Sequence, residues 1–338
     1  MPPRAFISGL ADRDLSAAER SFLRDADPWG VILFGRNVES PEQLNRLSAS
    51  VREALGRAAP ILVDQEGGRV QRLGPPHWPC YPAAAVYGRM YDQSPERARR
   101  AAYLGAYLMA ADLIAVGIDV DCVPIADVPV PGASSVIGDR AYGETAGKVA
   151  TIAKCVARGL LQCGVLPVLK HLPGHGRASA DSHGDLPVVD VDRAMLLATD
   201  FAAFQPLKDL PLGMTAHVVY SEIDPVAPAT TSVTVVRDVI RGSIGFSGLL
   251  MSDDISMGAL SGPLQERARA ALAAGCDLVL HCTGNIDEMG ELAAAVPAMS
   301  AEAELKADAA FERRRVAGWE DTAELRAEWT MLMQTGAA

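Results

Sequence analysis

The chain has 338 residues, 49% of them hydrophobic and 22% charged, and a formal net charge of -11. Those proportions exclude a disordered or fibrous protein, and the acidic balance argues against an extended nucleic-acid footprint or an anionic membrane as partner, since either needs counter-charge. Length alone allows either two domains or one α/β barrel of about 250 residues with extensions.

The N-terminal stretch MPPRAFISGLADRDLS lacks a basic segment followed by a sustained apolar run and a small-residue cleavage site, and no apolar run along the chain reaches the length of a membrane span. The six cysteines, Cys80, Cys122, Cys155, Cys163, Cys276 and Cys282, form no C-x-x-C pair, and several sit in apolar segments. They read as reduced core residues, and together these features give a cytoplasmic protein as the expectation.

From Ala5 onward, short apolar runs alternate with helical patterns. The runs are Ala5 to Leu10, Gly30 to Phe34, Pro60 to Val63, Ile118 to Val123, Val165 to Leu169, Leu212 to Ala216, Gly248 to Met251 and Asp277 to Leu280. Between them Pro41 to Leu55, Pro95 to Val116, Thr145 to Cys163, Arg193 to Leu207, Val233 to Gly242 and Leu264 to Ala274 carry helix-forming amphipathic sequence, with stops at Gly117, Gly164 and Gly275. About eight strands alternating with helices predict a single (β/α)8 TIM-type barrel over roughly residues 5 to 300. From Ile286 the pattern predicts one barrel-closing helix. A charged helical extension follows over 301 to 338, and its stretch Phe311 to Met333 is expected to be a solvated helix.

In such barrels the active site lies at the carboxyl ends of the strands, so the polar residues that follow each apolar run are the ones to collect. They are Arg36 and Asn37; Asp64 to Arg72; Asp127; Lys170 and His171; His217; Ser252, Asp253 and Asp254; and His281. Asp254, Asp127 and Glu66 have an equally good reading as helix caps or as partners of nearby arginines. Gly67 and Gly68 suit a turn, and no phosphate-binding glycine pattern follows a strand, so nucleotide binding is not expected.

The segment VLPVLKHLPGHGRASADSHGDLPVVD, Val165 to Asp190, is the richest in chemistry. His171, His175, Asp181 and His183 share a stretch too rich in glycine to be a helix, and a long loop that costs this much entropy to order is usually functional. Asp181 can sit beside His183, orient its ring and stabilise its protonated form. Asp253, at a strand end, is the candidate nucleophile, while strand alternation puts Asp254 on the other face. Retaining glycoside hydrolysis needs a nucleophile, a proton donor on the opposite side, and groups that hold the sugar hydroxyls. Asp253, the loop, and the set Asp64, Arg72, Lys170 and His171 supply all three.

These segments also carry a resemblance. Lys170 to Gly176, Asp181-Ser182-His183, Val63 to Val70 and Ser252 to Met257 resemble glycoside hydrolase family 3, in particular its NagZ-type β-N-acetylhexosaminidases. The resemblance runs from about Phe6 to His281. It implies a TIM barrel that removes terminal β-linked N-acetylglucosamine with retention, chiefly from cell-wall muropeptides bearing 1,6-anhydro-N-acetylmuramic acid, in cytoplasmic peptidoglycan recycling and without a cofactor. By position it implies Asp253 as nucleophile, His183 as general acid/base and Asp181 as its partner, with Asp64, Arg72, Arg140, Lys170 and His171 holding the sugar. Leu172, in place of the usual phenylalanine, and Gly258, where a larger residue is common, are the departures.

A histidine in this role avoids the repulsion between two close carboxylates and exchanges its proton near neutral pH. The loop from Arg177 to Leu186 is expected to close over bound sugar. Other readings stay open: a glucosidase or an N-acetylglucosaminide phosphorylase of the same family, a non-catalytic sugar-binding protein, and a zinc hydrolase using His171, His175, His183 and Asp181. Pro173 and Gly174 make the zinc spacing unattractive. The expected partner is a small carbohydrate, bound by a monomer with no metal.

Overall fold

The computed structural model describes residues 2–182, 184–314 and 322–334. Eight strands close a parallel barrel: β1 (Arg4–Gly9), β2 (Pro28–Leu33), β3 (Ile61–Val63), β4 (Val120–Asp121), β5 (Leu166–Leu172), β7 (Leu212–Thr215), β9 (Leu249–Asp254) and β10 (Leu278–His281). Neighbours along the chain are neighbours in the sheet, and β1 pairs with β10 to seal it. Two further short strands, β6 (Val188–Val189) and β8 (Val219–Tyr220), pair with each other beside the barrel. Every residue of β2 and β5 is buried. That is why barrel strands read as unbroken apolar runs rather than as alternating patterns.

The helices are α1 (Ala17–Ala26), α2 (Pro41–Leu55), α3 (Ala84–Gln93), α4 (Pro95–Ile114), α5 (Ala146–Gln162), α6 (Arg193–Ala198), α7 (Leu264–Ala274), α8 (Ile286–Ala295), α9 (Ala301–Glu312) and α10 (Thr322–Gln334). Their ends follow local chemistry. Ser16 and Glu19 form a reciprocal capping box on α1, Ser40 caps α2, and Gly275 ends α7 at φ 112, a conformation costly for any side chain.

Several elements differ from the sequence expectation. Helices α1 and α3 stand where none was expected. The predicted helix Arg193 to Leu207 is broken after Ala198 into short 3-10 turns, because Asp200 turns inward to take hydrogen bonds from Thr199 and from Arg177 of the loop. Val235–Ile244 winds as a wider π-helix. The chain after Ile286 forms two helices, α8 and α9, before α10. Far from being a solvated helix, α10 lies on α4: Leu325 and Trp329 pack against Tyr81, Leu108 and Met109, and the Trp329 and Tyr81 rings are 5.8 Å apart. Arg326 reaches Asp112 at 3.2 Å, and Arg100 grips Glu328 through two hydrogen bonds of 2.6 and 2.7 Å. One face of α10 is apolar enough to be worth burying. Of the cysteines, Cys122 and Cys276 are buried and Cys80 is exposed.

Strands β5 and β9 run further than their apolar residues. Leu172 still pairs with Thr215 and Asp254 with Leu280, so Lys170, His171, Asp253 and Asp254 belong to the barrel wall itself. A rigid sheet therefore carries these side chains at the mouth.

Candidate active site

A pocket of about 270 Å³ opens at the carboxyl ends of the strands. Asp64, Glu66, Arg72, Arg140, Lys170, His171, Asp181, Ser182, Asp253 and Asp254 line it, together with apolar Phe34, Met214 and Met257. Seven of the eight catalytic and sugar-holding residues that the resemblance implies thus meet in one cavity. The eighth, His183, lies outside the described residues.

One wall is an ion network. Lys170 Nζ donates to Asp64 Oδ1 and contacts Glu66 Oε1, both at 2.8 Å, while Arg140 grips both oxygens of Glu66 at 2.8 Å. Arg72 Nη2 reaches Asp64 at 3.4 Å. Burial works to raise the pKa of Asp64 and of Glu66, but the cations, Lys170 first among them, outweigh it and hold both carboxyls below their ordinary range. Burial opposes the charge on Lys170 as well, yet Asp64 and Glu66 raise its pKa far above that of a free lysine. The wall presents fixed charges of both signs, suited to hydrogen-bonding vicinal hydroxyls. Glu66 is the member the sequence left undecided; its partner Arg140 is 74 residues away along the chain, a pairing that local pattern cannot show.

A second group organises His171. Asp127 is wholly buried; its Oδ2 lies 2.7 Å from His171 Nδ1, and its Oδ1 accepts the His175 backbone N–H at 2.6 Å. Burial would neutralise Asp127, but the bond to His171 prevails and keeps it ionised. An ionised carboxylate only accepts, so Nδ1 of His171 carries the proton and Nε2 is left for the pocket.

The two adjacent aspartates of β9 both line the cavity, contrary to the alternation expected, but they divide their roles. Asp254 is consumed by its turn: it accepts from Ser256 N at 3.0 Å, Ser256 Oγ at 2.7 Å and Cys282 N at 3.3 Å. Asp253 accepts the Asp254 N–H at 2.8 Å and faces the cavity. Burial pushes its carboxyl upward, but the His217 and His171 imidazoles, this N–H and Lys170 bring it below the ordinary value. A half-buried, ionised carboxylate at the end of a barrel strand can attack an electrophilic carbon. His217 lies behind this strand, with Nε2 2.9 Å from Asp254 O and Nδ1 2.7 Å from Thr230 Oγ1. Burial lowers its pKa, with Asp253 and the Asp254 carbonyl opposing the shift. His217 and His281 do not line the pocket, contrary to expectation. His281 turns to Thr283 and Glu288, and Arg36 is spent on backbone carbonyls of Leu10 and Cys282.

The loop after β5 is rooted beneath the pocket. Gly176 lies so close to Val128 that a Cβ would collide with the Val128 carbonyl, Tyr220 donates to the Gly174 carbonyl, and Arg177 pairs with buried Asp200 at 2.6 Å. Asp181 sits beyond these anchors on the pocket rim.

Among the described residues no group of three or more His, Cys, Asp or Glu side chains forms a metal site. The wall of paired charges, the ionised strand-end carboxylate and the rim carboxylate on a loop define the site of a barrel glycoside hydrolase. The model of the glycosyl hydrolase family 3 N-terminal domain matches residues 7–316, and the chain belongs to that family. Among its relatives are proteins named β-hexosaminidase from Alkalilimnicola ehrlichii, 42% identical over 280 residues (82% of this chain, 80% of that one), and from Bordetella avium, 39% identical over 286 residues (83% and 81%). The structure of NagZ from Neisseria gonorrhoeae in complex with N-trifluoroacetyl-D-glucosamine superposes with a TM-score of 0.88 at 31% identity, covering 98% of each chain.

Proposed function

We propose that this glycoside hydrolase is a retaining exo-β-N-acetylglucosaminidase acting on peptidoglycan-derived fragments of the N-acetylglucosaminyl-1,6-anhydro-N-acetylmuramic acid type. The observation that carries the reading is the ionised Asp253 at the end of β9, in the same cavity as the Asp64, Glu66, Lys170 and Arg140 wall and the rim residue Asp181. The relatives named β-hexosaminidase and the NagZ complex with an N-acylglucosamine support the choice of sugar. A pocket of about 270 Å³ is at the small end for ligand sites, which suits one terminal sugar.

In the first step an Asp253 oxygen attacks the anomeric carbon while the bond to the aglycone oxygen breaks, and that oxygen takes a proton from His183. The product is a glycosyl-aspartate. In the second step His183, now neutral, removes a proton from water, the water oxygen replaces Asp253 at the anomeric carbon, and two inversions give net retention. Asp181 stabilises the imidazolium that is present before the first step and restored by the second. Asp64, Arg72, Arg140, Lys170 and His171 hold the sugar, and their hydrogen bonds tighten as positive charge develops on the ring. The loop from Arg177 to Leu186 closes when sugar is bound.

The setting we propose is cytoplasmic cell-wall recycling, which six free thiols suit. The test follows hydrolysis of the anhydro disaccharide and of its peptide-bearing forms by proton NMR. The β-anomer of N-acetylglucosamine released first supports the reading. First release of the α-anomer, or no release, contradicts it.

A further inference from the structure

The rim of the site is fastened at one residue. Between Ala178 and Pro187, Ser182 is the only described residue that is buried. Its carbonyl accepts the Ala259 N–H at 3.2 Å, and its hydroxyl lies 3.1 Å from Nε2 of His175. His175 is itself immobile: its N–H is held by Asp127, its ring is 3% exposed, and it meets the His171 ring edge-on at 5.8 Å. The other ring nitrogen, Nδ1, is buried with no hydrogen-bond partner among the described residues. Leaving a buried polar atom unpaired is costly, so packing alone does not account for an imidazole at this place. What the ring does gain is a bond to the residue beside Asp181.

We propose that the Ser182–His175 hydrogen bond is a catch that holds Asp181 over the sugar pocket, making Ser182 and His175 positioning residues for protonation of the leaving group. The inference rests on the acid/base reading above. A single neutral hydrogen bond is the right strength for the task, since it biases the segment toward the closed position and still lets it open for product to leave. Through Asp127 the same chain of contacts reaches His171, so the groups that hold the sugar and the group that protonates its leaving oxygen share one anchor.

Leaving-group dependence tests the catch. A dinitrophenyl N-acetyl-β-glucosaminide needs no proton to lose its aglycone, whereas a disaccharide does. Ser182→Ala is expected to lower kcat/KM roughly tenfold on the disaccharide and to leave the dinitrophenyl substrate within about threefold. His175→Phe, which keeps the ring's bulk, is expected to show the same split, and the double variant to be no worse than either single one. If Ser182→Ala does not fold, His175→Phe carries the test. Equal losses on both substrates, or no loss on either, overturn the catch. Asp181→Ala is the control: if it spares the disaccharide, the acid/base reading and the catch fall together. If it shows the split and Ser182→Ala does not, the catch alone falls.

Discussion

The carboxylate of Asp127 accepts the Nδ1–H of His171 at 2.7 Å, and an imidazole that lines the pocket is thereby held in one tautomer by a residue that does not line it. Asp127→Asn keeps the shape but offers an amide donor where an acceptor is required. A charged hydrogen bond of this kind is worth about 2 kcal/mol, so kcat/KM is expected to fall some 30-fold, with most of the loss in KM. Steady-state kinetics on an aryl N-acetylglucosaminide checks this. A variant with an unchanged KM would remove Asp127 from sugar binding.

Glu66 is nearly buried and serves two cations at once, Lys170 and Arg140. In Glu66→Gln the neutral amide leaves both short of charge, a change expected to cost about 3 kcal/mol of stability and to weaken sugar binding. Denaturant unfolding measures the first effect and KM the second. The acid dependence of stability should flatten too. The folded-state pKa of Glu66 is lowered from the ordinary 4.5, so its contribution is fully present above that value and is lost as pH falls toward the folded-state pKa. The native enzyme should therefore lose stability below about pH 4.5 more steeply than Glu66→Gln.

Asp253 lies below its ordinary 3.8, so its protonation sets no acid limb in the neutral range. In the proposed mechanism the imidazole acid instead governs the alkaline limb of kcat/KM on an unactivated substrate, because the reaction needs its proton. A neighbouring carboxylate raises an imidazole pKa, so Asp181→Asn should move that limb to lower pH. A pH profile with an unmoved limb would separate Asp181 from the acid.

Packing of α10 on α4 is a stability device made by residues that do not line the pocket. Trp329→Ala removes the partner of Tyr81 and is expected to cost about 1–2 kcal/mol, a few degrees in Tm, with kcat unchanged. A loss of kcat at full folding would link α10 to the site.

The barrel was legible because each strand is buried on both faces and leaves an apolar run such as Val165 to Leu169. Strand ends were not, since Lys170, His171, Asp253 and Asp254 are polar yet continue the pairing, and composition sees the side chain rather than the ladder. Helix α1 carried a readable signal in Ser16 and Glu19 that periodicity alone passed over. The break after Ala198 depends on Arg177 meeting Asp200, a tertiary event. Likewise Asp64, Arg72, Lys170 and His171 followed from position after each strand and Arg140 only from the resemblance, while the duties of Glu66 and Asp127 follow from partners brought close only by closure of the barrel.

Covalent trapping reports on the nucleophile itself. The native enzyme and Asp253→Ala are treated briefly with an activated 5-fluoro N-acetylglucosaminide and their intact masses compared. One added fluoroglycosyl unit is expected on the native chain, located by peptide mapping at Asp253, and none on the variant. A label on another carboxylate, or equal labelling of Asp253→Ala, would contradict it.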